Sequence, residues 1–266
     1  MEKYLVPRRM RNVAKRANRI NPREDRNIET QFPEFITRES RRRERQPEEL
    51  SMRYKRVEML PRNIAQETYI EALEDDSKTI VLGVGCAGTG KTYLATLYAI
   101  KGLQEGRYKK IIITRPAVSV DEQHGFLPGD LLAKLAPWCV PVLDILKEHY
   151  SVPVVKKLLE NESIELAALS FMRGRNLKNA VILCDEMQNA LPSQIKMLTT
   201  RIAEGSKMII CGDLEQFDRG FEANGFKDFI TRLEKRGSDQ MEICRFERCD
   251  IERHPVVDDI LRLYQD

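Results

Sequence analysis

The stretch "GCAGTGKT", residues 85–92, decides the fold of this chain of 266 residues. It follows the apolar run "TIVLGV" (79–84), which is typical of a buried parallel strand, and its end opens a stretch whose spacing predicts a helix over 92–103. The pattern G-x-x-x-x-G-K-[ST] between a strand and a helix indicates a phosphate-binding loop, or P-loop. A glycine-rich turn that arose by chance would not be expected to have a predicted strand before it and a predicted helix after it. We therefore predict a nucleotide site at residues 85–92.

The residue types of this loop all serve phosphate binding. Glycines at 85, 88 and 90 allow the backbone to wrap closely and to present its N–H groups to phosphate oxygens. The lysine can reach the β- and γ-phosphates, and the hydroxyl of the threonine after it can ligate Mg²⁺. The predicted nucleotide-binding residues of the loop are Gly85, Cys86, Ala87, Gly88, Thr89, Gly90, Lys91 and Thr92.

A second motif, "AVILCDEMQN" (180–189), places two acids at the end of an apolar run. Ligands bind at the carboxyl ends of strands in open α/β sheets, so Asp185 is placed to hold Mg²⁺ together with Thr92. Glu186 is a candidate catalytic group, because hydrolysis needs a residue that orients and deprotonates water, whereas a kinase uses a bound acceptor. The alternative, a surface acidic pair at a strand end, is disfavoured by the P-loop.

The third motif is "KMIICGDLEQFD" (207–218), another apolar run that ends at polar residues. In P-loop proteins with a catalytic acid, a strand of this kind lies between the P-loop strand and the magnesium strand. The turn after it then faces the γ-phosphate. Asp213 is predicted to fix the turn and the metal shell, and Gln216 to hydrogen-bond the γ-phosphate or the attacking water. Alone, the stretch would be an ordinary polar turn. The predicted catalytic residues are Lys91, Glu186, Asp213 and Gln216.

Apolar runs alternate with helical stretches through the body of the chain, which predicts an open, mainly parallel α/β sheet. The predicted strands are 79–84, 110–115, 163–169, 180–185, 207–212 and 241–246. The predicted helices are 63–73, 92–103, 131–150, 154–161, 192–203, 225–236 and 256–265. Pro137 and Pro141 are expected to break or kink the helix at 131–150.

Charge divides the chain into two parts. Residues 1–56 hold 17 Lys/Arg against 9 Asp/Glu, a net charge of +8, and the remainder has a net charge of −5. Such a basic arm suits polyanions, since each neutralised phosphate releases counterions. The arm is poor in periodic apolar positions and is predicted to be partly disordered, and a solubilising tail is the alternative interpretation. We predict a basic extension over 1–58 and one globular domain over 59–266.

Cysteine usage and hydropathy favour a cytosolic protein. The six cysteines form no C-x-x-C pair, which indicates reduced thiols. No apolar run approaches the length of about 20 residues that a membrane span needs. The first residues also lack the apolar core of a signal peptide, so neither a membrane nor secretion is predicted.

Seven segments, in their order, resemble the PhoH-like (phosphate-starvation-inducible) P-loop ATPases, a family related to the first core domain of superfamily 1 helicases. They are "GCAGTGKTYLA", "TRPAV", "GFLPGDLLAKLAPW", "FMRGR", "ILCDEMQN", "RIAEGSKMIICGDLEQFD" and "RHPVV". The resemblance covers roughly residues 60–265. It implies a three-layer, RecA-like core, binding of ATP and Mg²⁺, and ATP hydrolysis.

The resemblance also implies roles for single residues. Gln66 looks like the adenine-reading glutamine of helicase-like proteins, and an ordinary glutamine on a helix surface is the alternative. Gln216 looks like the glutamine of their "GDxxQ" motif. Arg115 resembles a motif that faces nucleic acid, although a structural pair is equally open. Departures from the family pattern, such as Cys86 for proline and Met187 for alanine, remove no ligand or charge that the chemistry needs.

A helicase places its ATP site between two core domains, and the second domain supplies an arginine to the γ-phosphate. Only 48 residues follow Asp218, too few for a second core, so we expect that arginine to come from another subunit of a homo-oligomer, such as a hexameric ring. The candidates are Arg253, Arg173 and Arg175, each with a structural salt bridge as the alternative.

The function predicted from the sequence is a Mg²⁺-dependent ATPase coupled to RNA or single-stranded DNA. A P-loop kinase of a small acceptor is one alternative, and Glu186 with "GDLEQ" disfavours it. A nucleotide-gated scaffold without enzymatic activity is the other, and the intact Lys91, Asp185 and Glu186 disfavour it.

Overall fold

The computed structural model describes residues 54–116, 139–218 and 223–252, together with residue 256. The strands in these ranges are β1 (Ile80–Gly85), β2 (Lys110–Arg115), β3 (Ile164–Ala168), β4 (Ala180–Cys184), β5 (Lys207–Gly212) and β6 (Met241–Phe246). The α-helices in the same ranges are α1 (Ile64–Glu74), α2 (Lys91–Gln104), α3 (Val140–His149), α4 (Val152–Glu160), α5 (Pro192–Thr199) and α6 (Gly225–Arg236). The predicted helix at 256–265 and nearly all of the basic extension lie outside these ranges.

The six described strands form one parallel sheet in the order β3-β2-β4-β5-β1-β6. The parallel α/β sheet predicted from the alternation is confirmed, and β5 lies between the P-loop strand β1 and β4, as expected. β1, β4 and β5 are buried almost throughout, because helices cover both faces of the sheet. One apolar cluster holds side chains of α1 to α4 and the other holds side chains of α5 and α6, so the domain has the three layers predicted.

In the described ranges, the helix ends agree with the predicted ones to within two residues, apart from the start of α3 and the end of α5. Pro141 lies in the first turn of α3, where its missing N–H costs nothing, so of the predicted break or kink at this proline the described residues show a helix start. Pro137 lies outside the described residues. Helix α5 ends at Thr199 and not at 203, because Ile202 forms a parallel bridge with Leu177. In the described part of the chain, no helix is long and apolar enough to cross a membrane.

Lys207, the first residue of β5, holds the end of α1 against the sheet. Its buried ammonium group donates hydrogen bonds to the carbonyl oxygens of Ala72, Leu73 and Asp75, at 3.4 Å for Ala72 and 2.9 Å for Asp75. These carbonyls belong to the last turn and C-cap of the helix, where partners within the helix are missing. Burial lowers the pKa of Lys207 to about 8.

This lowered pKa predicts a pH-dependent stability. The unfolded chain keeps the Lys207 proton up to about pH 10.4, whereas the folded chain releases it near pH 8, so unfolding takes up a proton between these values. The free energy of unfolding of the wild type should therefore rise relative to that of Lys207→Met as the pH increases through this window. Urea titrations at several pH values measure the difference. The exposed Lys157→Met is the matched control, and a constant difference for Lys207→Met would contradict the prediction.

Candidate nucleotide site at the carboxyl edge of the sheet

The P-loop connects β1 to α2 at the carboxyl edge of the sheet. Its Thr89 hydroxyl donates to the carbonyl oxygen of Cys86 at 2.9 Å, and the Lys91 ammonium group donates to both residues. Lys91 is buried, and desolvation lowers its pKa from the ordinary value. The lysine thus lies inside the loop, where a phosphate group would find a positive charge that little water screens.

Thr92 and Asp185 meet across two elements. The Thr92 hydroxyl, in the first turn of α2, donates a hydrogen bond of 2.8 Å to Oδ1 of Asp185, the residue directly after β4. Burial raises the pKa of Asp185, and the hydrogen bond from Thr92 opposes this rise. Both side chains offer hard oxygen ligands, which suit Mg²⁺. Within the described ranges, no cluster of three or more His, Cys, Asp or Glu side chains forms a metal site. These two oxygens therefore fit an ion that takes its other ligands from phosphates and water.

Asp213 links the turn after β5 (residues 213–218, the β5 turn) to the P-loop. The aspartate is buried, and its Oδ2 accepts from the Ala87 backbone N–H at 3.1 Å. Its Oδ1 accepts from the Glu215 N–H at 3.0 Å, and its carbonyl accepts from the Gln216 N–H. Gln216 itself is exposed. The described geometry thus places Asp213 on the P-loop backbone and Gln216 in the turn beside it, while their catalytic roles stay predictions.

Gln188 connects Glu186 to the β5 turn, and sequence reasoning missed it. Its amide nitrogen donates to Glu186 Oε2 at 2.6 Å and to the Gln216 carbonyl at 3.2 Å. Its amide oxygen accepts from the Asp213 N–H at 3.1 Å, and the side chain is 0% exposed. One buried amide therefore holds the candidate catalytic acid and the turn in a fixed relation.

Asn189 adds a second link between the same two segments. Its amide donates to Asp218 Oδ2 at 3.1 Å and accepts from the Asp218 N–H at 3.0 Å. The sequence did contain a signal for these two residues. Gln188 and Asn189 are adjacent amides between Met187 and Ala190, and the structure buries all four residues. Buried amides need partners, so such a pair indicates a fixed polar contact.

The family is decided by a match over residues 58–265 to the model of the PhoH-like protein family. The chain belongs to this family. A PhoH-like protein of Bacillus subtilis is 39% identical over 219 residues, which cover 82% of this chain and 67% of that protein. A PhoH-like protein of Mycobacterium leprae is 40% identical over 205 residues, which cover 77% of this chain and 58% of that protein.

Among solved structures, the large terminase from a thermophilic bacteriophage in complex with ADP has a TM-score of 0.49 and 12% identity, covering 77% of this chain and 51% of that one. The PhoH-like chain thus spans between about half and two thirds of the proteins named here. The family match and the strand order identify the domain as a P-loop NTPase of the PhoH-like family.

Gln66 of this PhoH-like chain is not a surface residue. It is 4% exposed, and its amide nitrogen donates to the Thr89 carbonyl of the P-loop at 3.1 Å. Its amide oxygen accepts from the Arg62 N–H at 2.9 Å. Asn63 caps the same helix by accepting from the Gln66 N–H at 2.9 Å. The glutamine therefore lies against the P-loop, and adenine recognition by it stays a prediction.

The candidate arginines of the PhoH-like chain fall into different environments. Arg175 is paired with Glu165 through two contacts, at 2.5 and 2.9 Å, and this carboxylate raises the pKa of Arg175. Arg173 is exposed and forms no ion pair with any residue that the structure describes. Arg115 ends β2 at the same edge of the sheet as Asp185. Arg253 lies outside the described residues. Arg175 is thus ion-paired in this structure and Arg173 is not, and a finger role for either arginine stays a prediction.

Gly85 gives a stability prediction for the start of the P-loop. Its φ is +142°, and a Cβ placed there would lie 2.0 Å from the Phe246 carbonyl oxygen on the neighbouring strand β6. Gly85→Ala should therefore lower the free energy of unfolding by about 3–5 kcal/mol, from backbone strain together with the overlap. Gly237→Ala is the matched control, because Gly237 has φ +70° but no atom within 4 Å of the added Cβ. It should cost about 1–3 kcal/mol in the same denaturant titration, from backbone strain alone, and equal losses would contradict the prediction.

Proposed function

We propose that this PhoH-like chain hydrolyses ATP in the presence of Mg²⁺. The observation that carries the proposal is the Thr92–Asp185 hydrogen bond of 2.8 Å, with Glu186 next in sequence and held by Gln188. A pair of oxygen ligands with a fixed carboxylate beside it is the arrangement that hydrolysis of a bound triphosphate needs.

Each part of the site takes one role in this proposal. The P-loop N–H groups and Lys91 bind the β- and γ-phosphates, and Gln66 reads the adenine. Thr92 and Asp185 hold Mg²⁺, which neutralises charge on the phosphates when bound. Glu186 accepts a proton from the attacking water, while the bond between the γ-phosphorus and ADP breaks.

The products, ADP and inorganic phosphate, distinguish hydrolysis from the kinase alternative, in which the phosphoryl group passes to an acceptor. Asp213 and Gln188 support hydrolysis further, since they fix the β5 turn against the P-loop and Glu186. Gln216 is proposed to contact the γ-phosphate or the water from this turn.

We further propose that hydrolysis is coupled to binding of RNA or single-stranded DNA. The net charge of +8 over residues 1–56 supports this proposal, as does Arg115 at the carboxyl edge of the sheet. ATP turnover measured with and without single-stranded RNA and DNA tests it. Stimulation that weakens as salt is raised is the expected result. Turnover that responds to neither polynucleotide nor salt would contradict the coupling.

The proposed homo-oligomer, with a ring as one form, is supported by exposed apolar side chains near the nucleotide site. Leu60 is 73% exposed and Ile64 is 81% exposed, both just before Gln66. Native mass spectrometry gives the number of subunits. Mixing Lys91→Ala with Arg173→Ala or Arg253→Ala chains then tests for an arginine supplied in trans. Recovery of turnover in a mixture supports the trans arginine, and strictly monomeric chains with full turnover would contradict it.

The proposal includes a cytosolic location. All six cysteines are free thiols, and four of them are buried in the described structure: Cys139, Cys184, Cys211 and Cys244. Reduced thiols of this kind are usual in the cytosol. Fractionation of cells that produce the tagged chain measures the location directly.

A further inference from the structure

The segment that follows β6 (residues 247–252, the post-β6 segment) runs along the P-loop. At its start, Phe246 pairs with Gly85 in the register of β1 and β6. At its end, the Glu252 N–H donates to the Gly88 carbonyl of the P-loop at 3.0 Å. Because the segment is held at both ends, the turn between these two contacts has a fixed position beside the loop.

Arg248 extends from this turn to the β5 turn. Its Nη2 lies 3.3 Å from Glu215 Oε2. β5 and β6 lie on opposite sides of β1, so the ion pair crosses the end of the strand from which the P-loop starts. Glu215 raises the pKa of the Arg248 guanidinium, with a smaller contribution from Cys86 of the P-loop. The guanidinium therefore belongs to a turn that is held beside the P-loop, and it pairs with the β5 turn, which is predicted to face the γ-phosphate.

The Arg248–Glu215 pair is poorly suited to a purely structural role. The two side chains are 71% and 67% exposed, and ion pairs that are so open to water contribute little to stability. A phosphate group carries more negative charge than a carboxylate and matches the planar guanidinium with two parallel hydrogen bonds. A triphosphate in the P-loop would therefore compete well with Glu215 for Arg248.

We propose that Arg248 is a phosphate-binding arginine of the same chain, which leaves Glu215 and binds the γ-phosphate of a nucleoside triphosphate at the P-loop. The inference rests on the proposed function, since it requires ATP in the P-loop. ADP has no γ-phosphate, so the Arg248–Glu215 pair stays intact with ADP. Arg248 therefore binds the γ-phosphate in the ATP state and Glu215 in the ADP state. In the ATP state, Glu215 is released next to Gln216 in the β5 turn.

The test compares three variants of the full chain with the wild type. Binding of a non-hydrolysable ATP analogue and of ADP is measured by calorimetry, and ATP turnover by phosphate release. Arg248→Ala should lower the affinity for the ATP analogue and the rate of ATP turnover, each by about tenfold or more. It should leave the affinity for ADP unchanged. Glu215→Gln should have the opposite effect and raise the affinity for the ATP analogue, because it frees Arg248. Arg245→Ala removes another exposed arginine, paired with Glu234, and is the matched control.

Two results would overturn the inference alone. One is an Arg248→Ala chain that binds both nucleotides and turns over like the wild type. The other is equal losses for Arg248→Ala and Glu215→Gln, which would assign the pair a merely stabilising role. A wild-type chain that binds neither nucleotide would overturn the proposed function together with this inference, so the two failures are distinguishable.

Discussion

Glu186→Gln is expected to lower ATP turnover by about 10²–10⁴-fold and to leave ATP affinity nearly unchanged. The amide keeps the size of the carboxylate and can still accept the hydrogen bond from Gln188, which is 2.6 Å in the wild type. It cannot take a proton from water. The Thr92–Asp185 contact is untouched, so binding of the nucleotide and Mg²⁺ should persist.

The measurement is phosphate release at saturating ATP, with nucleotide affinity determined separately by calorimetry. Glu204→Gln is the matched control, because Glu204 is exposed and lies just before the amino end of β5, away from the P-loop. It should turn over like the wild type. A Glu186→Gln chain that retains more than about a tenth of wild-type turnover would show that another group activates the water.

Gln188→Leu is expected to lower both turnover and stability. Leucine keeps the apolar volume but leaves the buried Asp213 N–H and the Gln216 carbonyl without their partner, which should cost about 2–5 kcal/mol of the free energy of unfolding. It also removes the donor that holds Glu186. Turnover should fall by about tenfold or more, because a misplaced general base loses its alignment with the water.

Temperature separates the two effects of Gln188→Leu. Turnover is measured well below the melting temperature of the variant, where circular dichroism shows a folded chain. There, a fall in kcat at an unchanged KM for ATP identifies a positioning role. The exposed Gln240→Leu is the control and should match the wild type in both assays. If Gln188→Leu loses stability but keeps its full kcat in the cold, the amide serves folding alone.

The parts of the site that lie at strand ends and helix starts could be predicted. The position of β5 between β1 and β4 followed from the three motifs, and it is confirmed. Thr92 and Asp185 were expected to share one Mg²⁺ ion, which stays a prediction. They lie within hydrogen-bond distance because the first residue after a parallel strand and the first turn of the P-loop helix share one edge of the sheet. Such placements depend only on strand ends and helix starts.

The contacts of single buried side chains away from these ends could not be predicted. Gln188 meets residues 25 and 28 positions away, and Lys207 meets carbonyl groups 132 to 135 positions away. These pairs depend on the direction in which each side chain points and on the exact end of a helix, which hydrophobic periodicity does not fix. The same limit applied to Gln66, whose helix position also allowed a surface residue, and to Arg175, which lies in a loop and pairs with Glu165 on β3.

Phosphate release from ATP by the purified full chain, with Mg²⁺ and without any added acceptor, tests the central claim most directly. The wild type should release ADP and inorganic phosphate in equal amounts, and Lys91→Ala should lose this activity together with its affinity for ATP. ATP binding without phosphate release would contradict the claim and support a nucleotide-gated scaffold. Release at the same rate from Lys91→Ala would also contradict it, because the activity would then not belong to this P-loop.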